Sequence, residues 1–125
     1  MLILLFISAC FLAYSNGAND NFKGVATLFG SGTTHYKKAI YWATITTLSG
    51  SIAAIFLANG LVKNFSGKGL VPDALITTPI FAISIAFGAA LTVFIATKVG
   101  MPISTTHSLV GALFGAGVMS CWFAI

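Results

Sequence analysis

Long apolar runs interrupted by short polar breaks dominate this chain. The first run, Met1 to Tyr14, meets the polar stretch Ser15-Asn16-Gly17-Ala18-Asn19-Asp20-Asn21. A brief apolar return from Val25 to Phe29 then ends at Gly30-Ser31-Gly32. A second run extends from Ala39 to Val62, a third from Ala74 to Thr97, and a fourth from Leu109 to Ile125. A helix rising 1.5 Å per residue needs roughly 20 apolar residues to cross a bilayer. The second and third runs reach that length, so the pattern predicts an all-α membrane protein with about four transmembrane segments. The fourth run stops at roughly 17 residues without a polar flank, and no charged flank precedes the first. Residues 1–125 are therefore expected to form one transmembrane unit, truncated at one or both ends. A secretory signal peptide is the alternative for the first run, but the basic start such peptides carry is missing.

Composition agrees with lipid as the surround. Hydrophobic residues make up 58% of the chain, charged residues 6%, and mean hydropathy is +1.00. Soluble domains carry about a quarter charged residues. The net charge of +4 comes from Lys23, Lys37, Lys38, Lys63, Lys68 and Lys98 against Asp20 and Asp73. Most of these lysines lie between apolar runs rather than on one polar face, which excludes a nucleic-acid interface and suits interfacial anchoring. If the first three runs each cross once, Lys37, Lys38 and Lys98 share one side and Lys63 and Lys68 the other. That distribution barely favours the first set as cytoplasmic. The loop from Lys63 to Pro72 is short and Gly-rich, and Pro72-Asp73 suits the opening of the third helix.

Cys10 and Cys121 stand alone in apolar runs, with neither metal spacing nor a disulfide framework, and are expected to be buried, inert thiols. Gly111 and Gly115 form a small-xxx-small pair that lets a neighbouring helix approach closely. His35, in a polar turn ending at Lys37 and Lys38, reads as an interfacial residue.

Two polar clusters call for a reason beyond solubility. In the first, Asn16, Asn19, Asp20 and Lys23 follow the i, i+3, i+4, i+7 spacing of one helical face. A carboxylate near an apolar segment is costly unless paired or hydrated. Gly17 permits local unwinding, which would free backbone carbonyls, and carbonyl, amide and carboxylate oxygens together suit a hard cation. The alternative is that Asp20 and Lys23 merely neutralise each other at a helix end.

In the second cluster, Gly100-Met101-Pro102 stops the third helix, and Ser104, Thr105, Thr106 and Ser108 open the fourth segment. The first N–H groups of a helix lack intrahelical partners and lie at its positive end, a ready site for an anion. Ser and Thr are also ordinary caps, but four hydroxyls exceed what capping requires. His107 follows Ser104 by three residues, so a Ser–His dyad of an intramembrane hydrolase is conceivable. No third, orienting acid is near in sequence, and the neighbouring hydroxyls leave the nucleophile ambiguous.

Taken together, Asn16-Gly17-Ala18-Asn19-Asp20 and the later Pro102-Ile103-Ser104-Thr105-Thr106-His107-Ser108 resemble the paired signature of the inorganic phosphate transporter (PiT) family. The resemblance covers most of the chain and rests on both motifs in that order. It implies two inverted repeats, each giving an Asn-Asp break and a Ser-Thr-Thr hairpin to a central site near the membrane midplane. This chain would supply one repeat, with a broken first helix and a re-entrant hairpin before Ser104. The resemblance further implies that Ser104, Thr105 and Thr106 hold phosphate oxygens. Asn19 and Asp20 would line a sodium site, with Asp20 also reaching protonated phosphate, and Asn16, Lys23, His107 and Ser108 would modulate the site. The implied activity is symport of inorganic phosphate with Na+ or H+ across the plasma membrane, without covalent chemistry or a cofactor other than the coupling cation.

Two features depart from the family's pattern. Lys23 stands where a third amide is common, so its ammonium is expected to replace one coupling cation or to alter the ion used. Each motif also occurs once, so a second repeat must come from a missing C-terminal half or from another chain. Two rival functions remain: sulfate transport on the same fold, and a non-transporting membrane subunit whose polar breaks pack against partners.

Overall fold

A computed structural model describes residues 1–58 and 77–123 of the chain. Its elements are α1 (Leu2–Asp20), a 3-10 turn (Lys23–Val25), α2 (Ala26–Gly30), α3 (Tyr36–Leu57), α4 (Pro79–Val99) and α5 (Thr105–Phe123). Lys63, Lys68 and the expected helix opener Pro72-Asp73 lie outside the described residues. Among those described, α4 opens with Thr78 as its cap and Pro79 in the first turn, where a missing N–H costs nothing.

Among the described residues, three stretches are long and apolar enough to cross a membrane: Leu2–Gly30, Tyr36–Leu57 and Pro79–Val99. About four were expected. α5 has the length, with 19 residues, and opens with the polar turn of Thr105, Thr106, His107 and Ser108. The predicted break in the first helix also falls elsewhere. Gly17 stays helical, because its carbonyl accepts a hydrogen bond from the Asn21 N–H at 3.1 Å. The α-helix ends after Asp20 instead, and the chain tightens into the 3-10 turn at Lys23.

α1 and α4 run parallel, as the matching register of their contacts requires. Phe11 meets Phe87 and Phe94, with ring centroids 5.9 and 5.7 Å apart, and Asn19 further along α1 meets Thr97 further along α4. The core is small: Ser15, Ala89, Ala90 and Val93 are almost fully buried. The Ser15 hydroxyl is enclosed with no hydrogen-bond partner.

α5 returns antiparallel along α4, and the reversal is made by Gly100. Its φ of +76° is open to glycine at little cost. Its N–H donates to the Thr97 carbonyl at 3.1 Å, and the Met101 N–H donates to the Ala96 carbonyl at 2.8 Å. This pair of bonds closes the last carbonyls of α4. Helix approach is closest at Gly88, where an added Cβ would lie 3.7 Å from the Ala112 Cβ. Gly111 and Gly115, expected at such a contact, have open space where a Cβ would go. Gly111 borders the groove between α4 and α5 without touching α4, and Ala112 makes the close contact instead.

α3 leaves the bundle through an aromatic corner. Phe22, Phe29 and Tyr36 pack with centroids 5.5 to 5.9 Å apart, folding the 3-10 turn and α2 against the start of α3. Ala39 and Ala43 are the buried positions of this helix. Much of the remaining apolar surface, including Trp42, Ile52 and Phe56, is exposed and requires lipid or protein against it. Cys10 and Cys121 are exposed on α1 and α5, contrary to the buried thiols expected. The small apolar core lies along other faces of those helices.

Candidate functional site

The two polar motifs, far apart in sequence, meet where α1, α4 and α5 come together. α1 delivers Asn16, Asn19 and Asp20 from one face, as their spacing predicted, and each is half-buried. The segment 100–104 crosses from the end of α4 to the start of α5 and lies against them.

Asn19 is the fastening point. Its Nδ2 donates to Thr97 Oγ1 at 2.8 Å and to the Met101 carbonyl at 3.3 Å. Its Oδ1 accepts the Ile103 N–H at 3.3 Å. One amide therefore binds α4 and both ends of the crossing segment, using its donors and its acceptor at once.

Thr105, the first residue of α5, reaches back to α1. Its hydroxyl donates to Asn16 Oδ1 at 2.5 Å and lies 3.2 Å from Asp20 Oδ2. A hydroxyl has one hydrogen, so Asn16 takes the shorter bond and the carboxylate oxygen receives only a long one.

Ser104 caps α5. Its Oγ accepts the His107 N–H at 3.3 Å, the third position of the helix, and lies 2.8 Å from His107 Nδ1. The imagined Ser–His pair thus exists as a contact, and Asp20 turns to Thr105 and Lys23 instead of to His107. Ser108 is buried, with its hydroxyl donating to the Ser104 carbonyl at 3.2 Å. Thr106 is exposed. The N–H groups of Thr105 and Thr106, in the first turn, have no carbonyl to bond within the helix.

Lys23 completes the cluster. Its Nζ lies 2.5 Å from Asp20 Oδ1 and 2.6 Å from the Ile103 carbonyl oxygen. The ion pair foreseen as the plain alternative is therefore present, with a second partner 80 residues away. Side chains of Lys23 and Asp20 remain 38% and 41% exposed. A groove of about 270 Å³ opens beside them, with Asn19, Phe22, Lys23, Thr97 and Pro102 in its wall. A second, of about 430 Å³, lies between α4 and α5 beside Thr92, His107 and Ser108.

Three contributors were not singled out from sequence. Thr97 looked like the polar end of an apolar run, and nothing local marked it as the partner of Asn19. The Ile103 carbonyl has no sequence signal, since every residue carries one. Asn21 lay inside the recognised polar stretch; its Nδ2 donates to Thr44 Oγ1 at 3.2 Å and its Oδ1 accepts from Thr47 Oγ1 at 3.0 Å. It thereby ties α3 to the site, and the i, i+3 spacing of Thr44 and Thr47 was the available signal. Among the described residues no group of three or more His, Cys, Asp or Glu is placed to hold a metal ion.

Comparison with known proteins bears on the whole assembly. The family model described as "Phosphate transporter family" matches residues 3–124. Proteins whose names begin "Putative phosphate permease" are similar: one from Haemophilus influenzae is 36% identical over 84% of this chain and 25% of its own length. One from Pyrococcus horikoshii is 34% identical over 94% of the chain and 29% of its length, and one from Mycobacterium tuberculosis 32% over 94% and 22%. The chain thus spans less than a third of the length of each of these relatives. No solved structure matches it significantly. With the match running nearly end to end, across three apolar helices and both polar motifs, this multi-pass membrane chain belongs to the phosphate transporter family.

Proposed function

We propose that the chain is one repeat of an ion-coupled symporter for inorganic phosphate, working by alternating access in the plasma membrane. The observation that carries this reading is the sharing of the Thr105 hydroxyl between Asn16 and Asp20. Beside the unbonded N–H groups of the first turn of α5, the site presents donors for an oxyanion and one carboxylate oxygen short of a donor. A protonated phosphate supplies that missing hydrogen to Asp20 and takes hydrogen bonds from the Thr105 and Thr106 N–H groups and the Thr106 and Ser104 hydroxyls on its other oxygens. Sulfate carries no proton at neutral pH and cannot donate to that Asp20 oxygen, so the arrangement favours phosphate.

Charge explains the need for a coupling cation. Asp20 and Lys23 cancel, and the helix end adds only about half a positive charge. A cation, Na+ or H+, entering with phosphate offsets the remainder, and each then favours binding of the other by the same factor. Asn19 and Asp20 are the candidates to line the Na+ path. A second repeat, from a C-terminal half or a partner chain, supplies the opposing Asn-Asp and Ser-Thr-Thr motifs and lets the site face either side in turn.

The test is phosphate uptake into vesicles with and without a sodium gradient, comparing residues 1–125 alone with a protein carrying a second repeat, and with sulfate as competitor. Sodium-stimulated uptake by the larger protein alone, resistant to sulfate, is the expected result. Uptake blocked equally by sulfate would transfer the reading to a general oxyanion carrier. No uptake from correctly inserted protein would favour a non-transporting subunit, in which Asp20→Asn and Ser104→Ala alter assembly only.

A further inference from the structure

We infer that Lys23 is a tethered cation, its ammonium filling a monovalent-cation site formed by the Asp20 carboxylate and the Ile103 carbonyl. As regards transport, this deepens the reading of the chain as an ion-coupled symporter: one dissolved cation fewer would be needed at this position. An isolated ion pair three residues apart, this exposed, would contribute little and would need no other partner. Here the ammonium is held at 2.5 Å by Asp20 Oδ1 and at 2.6 Å by Ile103 O, a second, backbone partner far along the sequence.

The site is built rather than incidental. Ile103 precedes the Ser104 cap, so its carbonyl lies outside the hydrogen-bond ladder of α5. The Ile103 N–H is pinned by Asn19 Oδ1 at 3.3 Å, which holds this residue against α1. The helix of α1 ends at Asp20, and the 3-10 turn places Lys23 beside the same carboxylate. A carboxylate oxygen and a backbone carbonyl oxygen facing one point are hard ligands of the kind that take an alkali cation. The Asn16 and Asn19 oxygens are meanwhile engaged by Thr105 and Ile103, so this pair is the oxygen set facing a positive charge.

The inference is tested on the full-length protein with Lys23→Met, which keeps the stem and removes the charge, Lys23→Ala, and Lys23→Arg, which keeps it. Unfolding temperature in detergent is read in NaCl against choline chloride, without phosphate. Sodium-specific stabilisation of the Met and Ala variants, absent in wild type and Lys23→Arg, is expected. In vesicles, the ratio of phosphate uptake with Na+ to uptake without it should rise at least about fivefold in Lys23→Met. Equal sodium responses in all four proteins would overturn the inference. So would a raised phosphate half-saturation with unchanged sodium dependence, which would make Lys23 a phosphate ligand. If Met and Ala variants fold in NaCl but not in choline, the inference stands; if they fold in neither while Lys23→Arg folds, it falls. Sodium-specific stabilisation without phosphate uptake by any of the four would keep the cation site and remove the transport reading instead.

Discussion

Thr105 and Asn16, 89 residues apart in sequence, are joined by a 2.5 Å hydrogen bond from the threonine hydroxyl to the amide oxygen. This bond brings the first residue of α5 onto the polar face of α1 and fixes the distance between the two motifs. It also decides how the site is charged, because the hydrogen given to Asn16 is largely withheld from Asp20, at 3.2 Å.

Thr105→Val keeps the shape and removes the hydroxyl. Leaving the Asn16 oxygen without its donor should cost about 1–3 kcal/mol, and phosphate uptake should fall about tenfold or more. Thr105→Ser should recover most of both. Chemical unfolding in detergent and vesicle uptake measure the two effects.

Asn19→Leu is close in size and cuts three hydrogen bonds, to Thr97, Met101 and Ile103. At about 1 kcal/mol net for each bond, a loss near 2–3 kcal/mol is expected in an unfolding titration. Thr97→Val should cost less, since only one of the three bonds ends there.

Gly88 and Gly115 look alike in sequence and should behave differently. Gly88→Ala meets Ala112 at ordinary contact distance and should be tolerated. Gly88→Leu overfills the α4–α5 seam and should destabilise by about 1–3 kcal/mol. Gly115→Ala has open space within this chain and should change stability by no more than about 0.5 kcal/mol. A larger loss in the full-length protein would locate a partner against that face.

Gly100→Ala forces an L side chain into a φ of +76°, at about 1–2 kcal/mol. Gly100→Asn, a residue that tolerates this conformation better, should lose less. Comparing the two unfolding midpoints separates backbone strain from any loss of packing.

Much of this was legible in the sequence because it is local. The apolar runs located α3 and α4, Gly100 marked the end of α4, and the spacing of Asn16, Asn19 and Asp20 put them on one face. The two motifs also identified the family. What escaped was set by tertiary placement. Gly17 looked like a point of unwinding, yet its carbonyl has an ordinary helical partner in Asn21. Gly111 and Gly115 had the spacing of a packing motif, but rotation of α5 about its axis turns Ala112 toward Gly88. Thr97 and the Ile103 carbonyl became site groups only through the approach of Asn19 and Lys23, which no sequence window contains.

The fastening of α1 to α4 by Asn19 has a mechanical consequence. Directional amide bonds hold the pair at Thr97 and Met101, while further down the contact passes through the rings of Phe11, Phe87 and Phe94. Ring pairs favour certain geometries but are less sharply directional than hydrogen bonds, and in lipid no hydrophobic force presses the helices together. The polar end of the pair is therefore held by direction and distance and the rest by packing alone, so the geometry of the site is set chiefly where Asn19 bonds α4.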